Sequence, residues 1–456
     1  MVSQVEKMRS KNILFVNWGT RDKKYPFQVA KKKKLNIFLA TTSNYPKWIR
    51  EYVPKKNLVI TNPYDSQKMI TDVVKYSIDN NIKFDAVVTF FEMSIVQTAD
   101  LAASLGCVSI TPSAVRRSSG NKALMRYFCK VSNIPTPKFF IISSAKQLGK
   151  VIKKIGVPVI LKPVLSGRSY GAIKIDSVDK KKVAKSYKIA KRQLYGNFDE
   201  WMKYYGNYKD DFIVEKWIEG KVISVDGLIQ NGKVFVVGLA EHIMCSEPML
   251  FQVGLYIPAR INNKVKEETV LLAKNIIKEM GYDNCAFHSE YKVKDNVPML
   301  IEFAVRPPGG TMIQAYEKAY GVNIADKLLD ISLSKQISFN KLKLNKFITQ
   351  RAIMLPHPGV VRKIKGISEV KNIKEISDTS QIRTNEFVRF PFFVPQSGFY
   401  FQLESDSLKE IKTKEEQIIK EINFIYWHRF FDFFWKIKTF IFSILRKLLR
   451  KELFFK

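Results

Sequence analysis

The sequence predicts a chain of α/β and α+β structure, and three patterns support this prediction. In the first third, apolar strand-like runs alternate with segments of helical spacing, which is typical of a parallel sheet covered by helices. Further along, pairs of strand-like runs are separated by short turns, one of them Asn231-Gly232, which favours antiparallel hairpins. Between these regions, an apolar strand leads into a lysine and a loop of small residues over 157–171.

The composition is that of a folded and strongly basic chain. The 456 residues carry a formal net charge of +34, and 46% are hydrophobic and 12% aromatic. One interpretation of the charge is an anionic partner such as nucleic acid, a lipid surface or a phosphorylated substrate. Because the lysines are spread along the whole chain and no zinc spacing or RNA-recognition signature is present, we favour a generally lysine-rich composition and expect no nucleic-acid partner.

Cysteine spacing and hydropathy favour a cytoplasmic protein. The four cysteines are widely separated and form no CxxC or metal-binding spacing, so reduced thiols are expected. The first twelve residues are charged and lack an apolar segment, which argues against a secretory signal. No apolar run reaches the length of a membrane span.

The segment 157–171, VPVILKPVLSGRSYG, has the features of a phosphate-binding loop. An apolar strand leads directly into Lys162, which adds a point charge, and small residues let backbone N–H groups approach an anion. The small residues in question are Ser166, Gly167, Ser169 and Gly171. The GxxxxGK[ST] pattern of a Walker A loop is absent. The alternative is an ordinary hairpin whose lysine reaches solvent.

Three acidic residues follow predicted strands or lie on them. Glu92 comes just past the strand predicted over 84–90, where a parallel sheet presents its ligand groups, although it could simply complement a helix dipole. Glu290 and Glu302 lie on two strands joined by a short turn, so a hairpin would bring them into one site. Two converging carboxylates repel unless a cation lies between them, and oxygen ligands suit Mg²⁺. Solvated glutamates with Arg306 as counterion are the alternative.

In this order along the chain, the features resemble the ATP-grasp superfamily, from about Asn12 to about Leu408. The resemblance implies an ATP-grasp fold with an N-terminal Rossmann-like pre-ATP-grasp domain. The implied regions are a pre-ATP-grasp domain at 1–110, an ATP-grasp domain at 111–345 and a C-terminal ligase lobe at 346–420, and the residue pattern beyond them predicts a C-terminal amphipathic helix at 421–456. Within the ATP-grasp domain, a flexible phosphate-binding subdomain is expected over about 155–220.

The resemblance also assigns residues to ATP and metal. It implies that Lys122 and Lys162 contact the phosphates together with the 166–171 loop. Glu290 and Glu302 would hold Mg²⁺, with Mn²⁺ left open, and Arg306 would stabilise developing charge. These assignments make ATP and a divalent metal the expected cofactors.

The sequence EKWIEG resembles the hinge that contacts adenine in this superfamily. By that resemblance Glu215 accepts from the adenine amino group, Lys216 and Ile218 offer backbone contacts, and Trp217 packs nearby. Many members carry a ribose-binding glutamate just after the hinge glycine, where this chain has Lys221-Val222, so Asp226 is the remaining candidate.

The C-terminal lobe resembles that of L-amino acid ligases and carboxylate–amine ligases, with a single grasp unit similar to those of the carbamoyl phosphate synthetase large chain. The implied reaction joins a small carboxylate to an amine through an acyl phosphate, with catalytic roles for Arg306, Lys162 and Glu92, the last facing the amine. Ala304 replaces the asparagine that many members use beside the metal, which keeps open a degenerate ATP-binding protein without turnover. A homodimer also stays open.

Residues 424–456 are aromatic and basic. On a helix, the charged residues share one stripe and the aromatic and leucine residues lie opposite, which is typical of a helix lying in an anionic membrane interface. We therefore expect peripheral association with the inner face of the membrane, and the alternative is a helix docked on the body of the protein or on a second subunit.

Overall fold

The computed structural model describes residues 10–18, 24–117, 120–165, 171–196, 211–245, 250–339, 342–388 and 396–427. They form two compact units. The first unit covers most of the chain up to Asn345, and the second begins at Lys346 and adds residues 243–245 and 251–256.

The described residues contain both helices and strands throughout. The strands are β1 (Asn12–Val16), β2 (Asn36–Thr41), β3 (Leu58–Ile60), β4 (Ala86–Val88), β5 (Phe139–Ile142), β6 (Val159–Pro163), β7 (Ile173–Ile175), β8 (Phe212–Lys216), β9 (Lys221–Gln230), β10 (Lys233–Met244), β11 (Gln252–Ile257), β12 (Cys285–Lys294), β13 (Val297–Ala304), β14 (Phe347–Met354), β15 (Gly359–Lys365), β16 (Ile376–Gln381), β17 (Phe387–Val388), β18 (Ser397–Ser405) and β19 (Asn423–Tyr426). The helices are α1 (Lys24–Lys32), α2 (Ser66–Asp79), α3 (Ile95–Ser104), α4 (Pro112–Val115), α5 (Lys122–Val131), α6 (Ala145–Ile155), α7 (Lys180–Gly196), α8 (Asn263–Met280), α9 (Met312–Tyr320), α10 (Ile324–Ser332), α11 (Ile367–Lys371) and α12 (Leu408–Glu421).

The first layer of the larger unit is a parallel sheet in the order β3-β2-β1-β4. Its strands are short and apolar, and α2 and α3 cover them through buried side chains such as Met69 and Leu101. This is the Rossmann-like layer that the alternating pattern predicts. Glu92 begins a short 3₁₀ turn beyond the end of β4, at the edge where parallel strands present ligand groups.

The second layer is a small antiparallel sheet in the order β5-β8-β6-β7, packed against α6 and α7. The flanking helices are capped by local sequence. Asn121 accepts from the Leu124 N–H group at the start of α5, and Ser144 accepts from the Gln147 N–H group at the start of α6. The Asn121 cap fixes where α5 begins, and Lys122 is the first residue of this helix.

The third layer of the larger unit is antiparallel, with strands in the order β13-β12-β9-β10. Asn231 and Gly232 both have positive φ, as the predicted turn between β9 and β10 requires. One face of this sheet packs on α8 through a core that includes Val225, Phe287 and Ile276. The side chains on the opposite face of the sheet include the polar residues of the candidate site.

The smaller unit has its own core. Strands β11, β14, β18 and β16 lie in that order, and β15 pairs with β17 and β19. Buried side chains from β18 and α12, among them Phe399, Phe401 and Ile418, fill the space between these elements. Mixed α/β and α+β structure therefore extends over both units, as predicted.

The prediction of a helix over 421–456 is wrong at its start. Helix α12 ends at Glu421, and β19 then pairs antiparallel with β15. The Phe424 ring packs against Gly398, where a Cβ atom would lie 2.4 Å from it. Pairing with β15 and this ring contact favour a strand over a helical continuation. Residues 428–456, which carry most of the predicted amphipathic helix, lie outside the described residues.

None of the helices in the described part of the chain is both long and apolar enough to cross a membrane.

We predict that Gly220, between β8 and β9, does not tolerate alanine. Its φ is +106°, and an added Cβ would lie 2.0 Å from the Val293 carbonyl oxygen. Gly220→Ala should lower the free energy of unfolding by about 3 kcal/mol, measured by urea denaturation. The matched control is Gly149→Ala in α6, where an added Cβ meets nothing within 4 Å. A helix-interior alanine there should be neutral or stabilising by up to about 1 kcal/mol. Equal effects of the two changes would contradict this explanation.

Candidate functional site

Glu290 and Glu302 lie directly opposite each other on β12 and β13. Opposed residues on antiparallel strands place their Cβ atoms about 5 Å apart on one face of the sheet, so the two carboxylates share a site. Glu290 is half-buried, whereas 46% of the Glu302 side chain is exposed. The register therefore presents the two carboxylates side by side on one face of the sheet, which we call the carboxylate face.

Lys122 approaches these carboxylates from the start of α5. Its Nζ atom lies 3.9 Å from Glu302 Oε1, and its backbone N–H group donates to the Val164 carbonyl oxygen just beyond β6. The side chain is mostly buried, and its amino group reaches the carboxylate face beside Glu302. Lys122 thus supplies a positive charge beside one of the two glutamates.

Glu290 has a basic neighbour of its own. His288 Nε2 lies 3.2 Å from Glu290 Oε1. Burial disfavours the charged carboxylate, but the hydrogen bond with His288 and nearby positive charges, including Arg306, outweigh it and hold the pKa of Glu290 well below its usual range. The carboxylate is therefore ionised and ready to bind a cation.

Arg306 and Glu92, predicted separately, are brought together. Arg306 Nε lies 2.6 Å from Glu92 Oε2, and its Nη1 group donates to the Pro307 carbonyl oxygen at 2.8 Å. Both side chains are mostly buried. Glu92 therefore lies at the site, as its place beyond β4 suggests, and its carboxylate contacts a guanidinium in this structure.

Glu215 carries a charge that is buried in the interior beside the site. Arg126 Nε lies 2.6 Å from one carboxylate oxygen, and Lys162 Nζ lies 2.7 Å from the other. Burial raises the pKa of Glu215, but the charges of Arg126 and Lys162 and their hydrogen bonds outweigh it and lower the pKa to about 2. Two cations therefore keep this carboxylate ionised in the interior. The predicted contact of Glu215 with an adenine amino group does not fit this structure, because both carboxylate oxygens contact a cation and the side chain is buried.

Arg126 is a site residue that the sequence reasoning missed. It is fully buried, and its two terminal nitrogens donate to the carbonyl oxygens of Leu300 and Ile301 on β13, at 2.9 and 3.0 Å. Arg126 thus joins Glu215 on β8 to the strand that carries Glu302. The available signal was its position four residues after Lys122 on the same helix, which places both on one helix face.

The predicted hinge lies beside β6 and β7. The Trp217 ring contacts Lys174 Nζ at 4.8 Å and Lys292 Nζ at 3.8 Å from its centroid. Backbone N–H groups of Lys216 and Trp217 donate to the carbonyl oxygens of Lys138 and Pro158. A backbone contact from Lys216 to adenine would therefore use its carbonyl oxygen. Ile218, the other residue with a predicted backbone contact, is half-buried.

Asp226 does not suit the ribose role considered for it. Its side chain is fully buried, and its carboxylate oxygens contact His288, Ser224 and Tyr316 at 2.6 to 2.8 Å. A ribose hydroxyl would need an exposed oxygen atom to bind. The prediction that Asp226 binds ribose is therefore wrong, and we assign Asp226 a structural role in the interior of the sheet.

Of the predicted phosphate loop, Gly171 is described. Its φ is +75°, its N–H group donates to Gln193 at 3.0 Å, and an added Cβ would lie 2.6 Å from Pro163. Only glycine fits this position comfortably. Ser166, Gly167 and Ser169 lie outside the described residues.

These side chains suit Mg²⁺ with a phosphorylated ligand. In the described ranges, no three or more His, Cys, Asp or Glu side chains are arranged to hold a metal by themselves. Glu290 and Glu302 thus supply two oxygen donors, and Mg²⁺ typically takes its other ligands from phosphates and water. Lys122 and Arg306 lie close enough to offset the charge of such a ligand.

The fold of the larger unit is that of an ATP-grasp domain. Residues 155–315 match the family described as ATP-grasp domain, so the chain carries an ATP-grasp domain. The crystal structure of an L-amino acid ligase from Bacillus licheniformis superposes with a TM-score of 0.75 at 19% identity, covering 92% of this chain and 100% of that one. The superposition confirms the ATP-grasp fold.

Curated relatives include ligases of amino acids. The chain is 25% identical over 285 residues to the alanine–anticapsin ligase of Bacillus subtilis, covering 58% of this chain and 57% of that protein. It is 23% identical over 330 residues to an L-arginine-specific L-amino acid ligase of Bacillus subtilis, covering 70% of this chain and 75% of that protein. The first of these matches thus spans little more than half of the relative's length.

We predict a pH-dependent loss of stability when Glu215 is neutralised. Because its pKa is lowered from 4.5 to about 2, ionised Glu215 stabilises the fold above pH 4.5, and this contribution is lost as the pH falls toward 2. Glu215→Gln should lower the free energy of unfolding by about 3 kcal/mol at pH 7. The difference from wild type should shrink below pH 4.5 in urea denaturation at several pH values.

The control for this prediction is Glu219→Gln. Glu219 is exposed and pairs with Lys294 at 3.3 Å on the surface, so its neutralisation should change stability by less than about 1 kcal/mol at any pH. A Glu215→Gln effect that stays constant from pH 7 to pH 3 would show that the lost charge is not the cause.

Proposed function

We propose that the protein is an ATP- and Mg²⁺-dependent carboxylate–amine ligase that forms an amide or peptide bond through an acyl phosphate. The observation that carries the proposal is the pair of carboxylates, Glu290 and Glu302, opposed on one sheet face within an ATP-grasp domain. The relatives named as amino acid ligases support the same reaction class. The expected substrates are a small carboxylate and an amine, with amino acids first among them.

Each residue of the site would have a definite part in this reaction. When bound, ATP supplies the phosphoryl group that activates the carboxylate. Glu290 and Glu302 would hold Mg²⁺, while Lys122 and Lys162 would hold phosphate oxygens. These positions agree with the cationic and anionic side chains found on the carboxylate face and beside β6.

Arg306 would stabilise the negative charge that develops on the carboxylate during phosphoryl transfer and amine attack. Glu92 holds the guanidinium at 2.6 Å and so directs its charge into the site. When a substrate engages Arg306, the Glu92 carboxylate becomes an acceptor for the N–H groups of the incoming amine. Arg306 and Glu92 would thus contact the carboxylate substrate and the amine substrate at adjacent positions.

A degenerate ATP-binding protein without turnover is the weaker interpretation. Both metal-binding carboxylates are present and opposed, and Arg306 is in place beside them. Ala304, the departure that keeps this interpretation open, lacks the asparagine side chain but leaves these three groups intact. The ligase proposal therefore explains more of the site.

We predict substrate-dependent ADP formation that depends on the carboxylate pair. Purified protein with ATP, Mg²⁺ and pooled L-amino acids should release ADP and phosphate, measured by a coupled assay. Glu302→Ala and Arg306→Ala should each lower kcat/KM by about 10²-fold or more, because they remove metal binding and charge stabilisation. Glu279→Ala, on the exposed face of α8, is the control and should behave as wild type.

Two results would contradict this prediction. Turnover that survives Glu302→Ala would show that the carboxylate pair does not hold the essential metal. If ATP and Mg²⁺ raise the melting temperature but no pool of amino acids or sugar acids stimulates ADP release, the non-catalytic interpretation is preferred.

We further propose peripheral association with the cytoplasmic face of the membrane, supported by the sequence of 424–456 alone. Because Asn423–Tyr426 belong to β19, the testable segment is 428–456. Its removal should abolish sedimentation with vesicles containing anionic phospholipid, whereas the ATP-induced rise in melting temperature should persist. Vesicles of phosphatidylcholine alone are the control. Vesicle binding that is unchanged after the deletion would refute the proposal.

A further inference from the structure

His288 connects two carboxylates of very different burial. Its Nδ1 atom lies 2.6 Å from Asp226 Oδ1, and its Nε2 atom lies 3.2 Å from Glu290 Oε1. Asp226 is fully buried, whereas Glu290 reaches the carboxylate face. The imidazole thus spans from the interior of the sheet to one of the two proposed metal ligands.

The buried end of this connection is rigidly held. The Asp226 Oδ2 atom accepts from the Ser224 hydroxyl at 2.8 Å and from the Tyr316 hydroxyl at 2.6 Å, which leaves Oδ1 facing His288. Ser224 and Tyr316 are themselves buried, on β9 and α9. A carboxylate held at both oxygens fixes the position and the plane of the imidazole that it contacts.

Neighbouring residues on the sheet further restrain the imidazole ring of His288. His288 lies directly across from Asp226 on β9 and from Ala304 on β13. Ala304 offers only a methyl group on that side, so no longer side chain of β13 competes for the position beside Glu290. The His242 ring stacks at 6.0 Å with an interplanar angle of 24°. The imidazole therefore has one well-defined orientation.

We propose that His288, anchored by Asp226, is a positioning residue that sets the orientation of the Glu290 carboxylate for the divalent metal. This inference rests on the proposed function, because it assumes that Glu290 holds Mg²⁺. Residues behind a metal ligand that fix its orientation commonly change metal affinity or activity by about 10- to 100-fold when replaced. A hydrogen bond from His288 would hold the Glu290 carboxylate in place despite the repulsion from Glu302 and keep it directed at the shared site.

Two substitutions separate the two ends of the imidazole. An asparagine amide nitrogen lies near the position of histidine Nδ1, so His288→Asn keeps a donor for buried Asp226 and loses the contact with Glu290. A glutamine amide nitrogen lies near the position of Nε2, so His288→Gln keeps a donor for Glu290 and loses the one for Asp226. The positioning role and a purely structural role therefore predict opposite rankings of the two variants.

The measurement is the Mg²⁺ concentration that gives half of the rise in melting temperature produced by saturating ADP. Urea denaturation of each variant is measured in parallel. We expect His288→Asn to raise this Mg²⁺ concentration by about 10- to 100-fold with near-normal urea stability. We expect His288→Gln to unfold at lower urea concentration while its Mg²⁺ requirement stays within a few-fold of wild type. His357→Gln, at an exposed histidine, is the control.

The outcomes decide between the roles. A normal Mg²⁺ requirement in His288→Asn, or a requirement in both variants that simply follows their loss of stability, would overturn the positioning role and leave the ligase proposal intact. If wild type itself shows no Mg²⁺-dependent rise with ADP, the proposed function fails, and the role of His288 fails with it.

Discussion

Glu215 carries a buried negative charge between two cations, Arg126 and Lys162, and the three residues belong to β8, α5 and β6. Removing one partner from such a group leaves an uncompensated charge in the interior, which costs about 3–5 kcal/mol. Arg126 also donates to two carbonyl oxygens of β13, so the same ion cluster reaches the strand that carries Glu302. The placement of Lys162 and of the strand that carries Glu302 therefore depends on one buried carboxylate.

Several parts of this arrangement can be predicted from sequence because they depend on local patterns. The turn at Asp295-Asn296, both with positive φ, joins two alternating strands and predicts a hairpin that brings Glu290 and Glu302 close together. Their direct opposition depends in addition on a register shift between Glu290 and Tyr291, which the sequence pattern does not show. The parallel layer follows in the same way from short apolar runs separated by helices. Sequence patterns can therefore predict which residues come close together when these residues are neighbours along the chain or belong to one hairpin.

Other parts could not be predicted, because a polar residue in a strand does not reveal its partners. Asp226 was considered for ribose, yet it is buried under Tyr316, which lies 90 residues further along the chain. Arg126 was missed because its acceptors on β8 and β13 become neighbours only when three elements pack together. The charged stripe and the opposite aromatic face of 424–456 favour a helix, whereas pairing with β15 makes the segment Asn423–Tyr426 a strand, a structure in which aromatic residues are also common.

The charged groups of the site differ in how easily they can exchange partners. Glu215 is fully buried and contacts two cations below 3 Å, so this cluster is part of the permanent structure. Lys122 lies 3.9 Å from Glu302, whose side chain is 46% exposed, so this ion pair is longer and weaker than the two pairs of Glu215. Exchanging Lys122 from Glu302 to a phosphate therefore costs little, and the same step frees Glu302 for a metal. A ligase site of the proposed kind, which binds ATP and releases ADP, needs both kinds of contact, because short buried ion pairs keep its shape and longer ones can be replaced by contacts with the ligand.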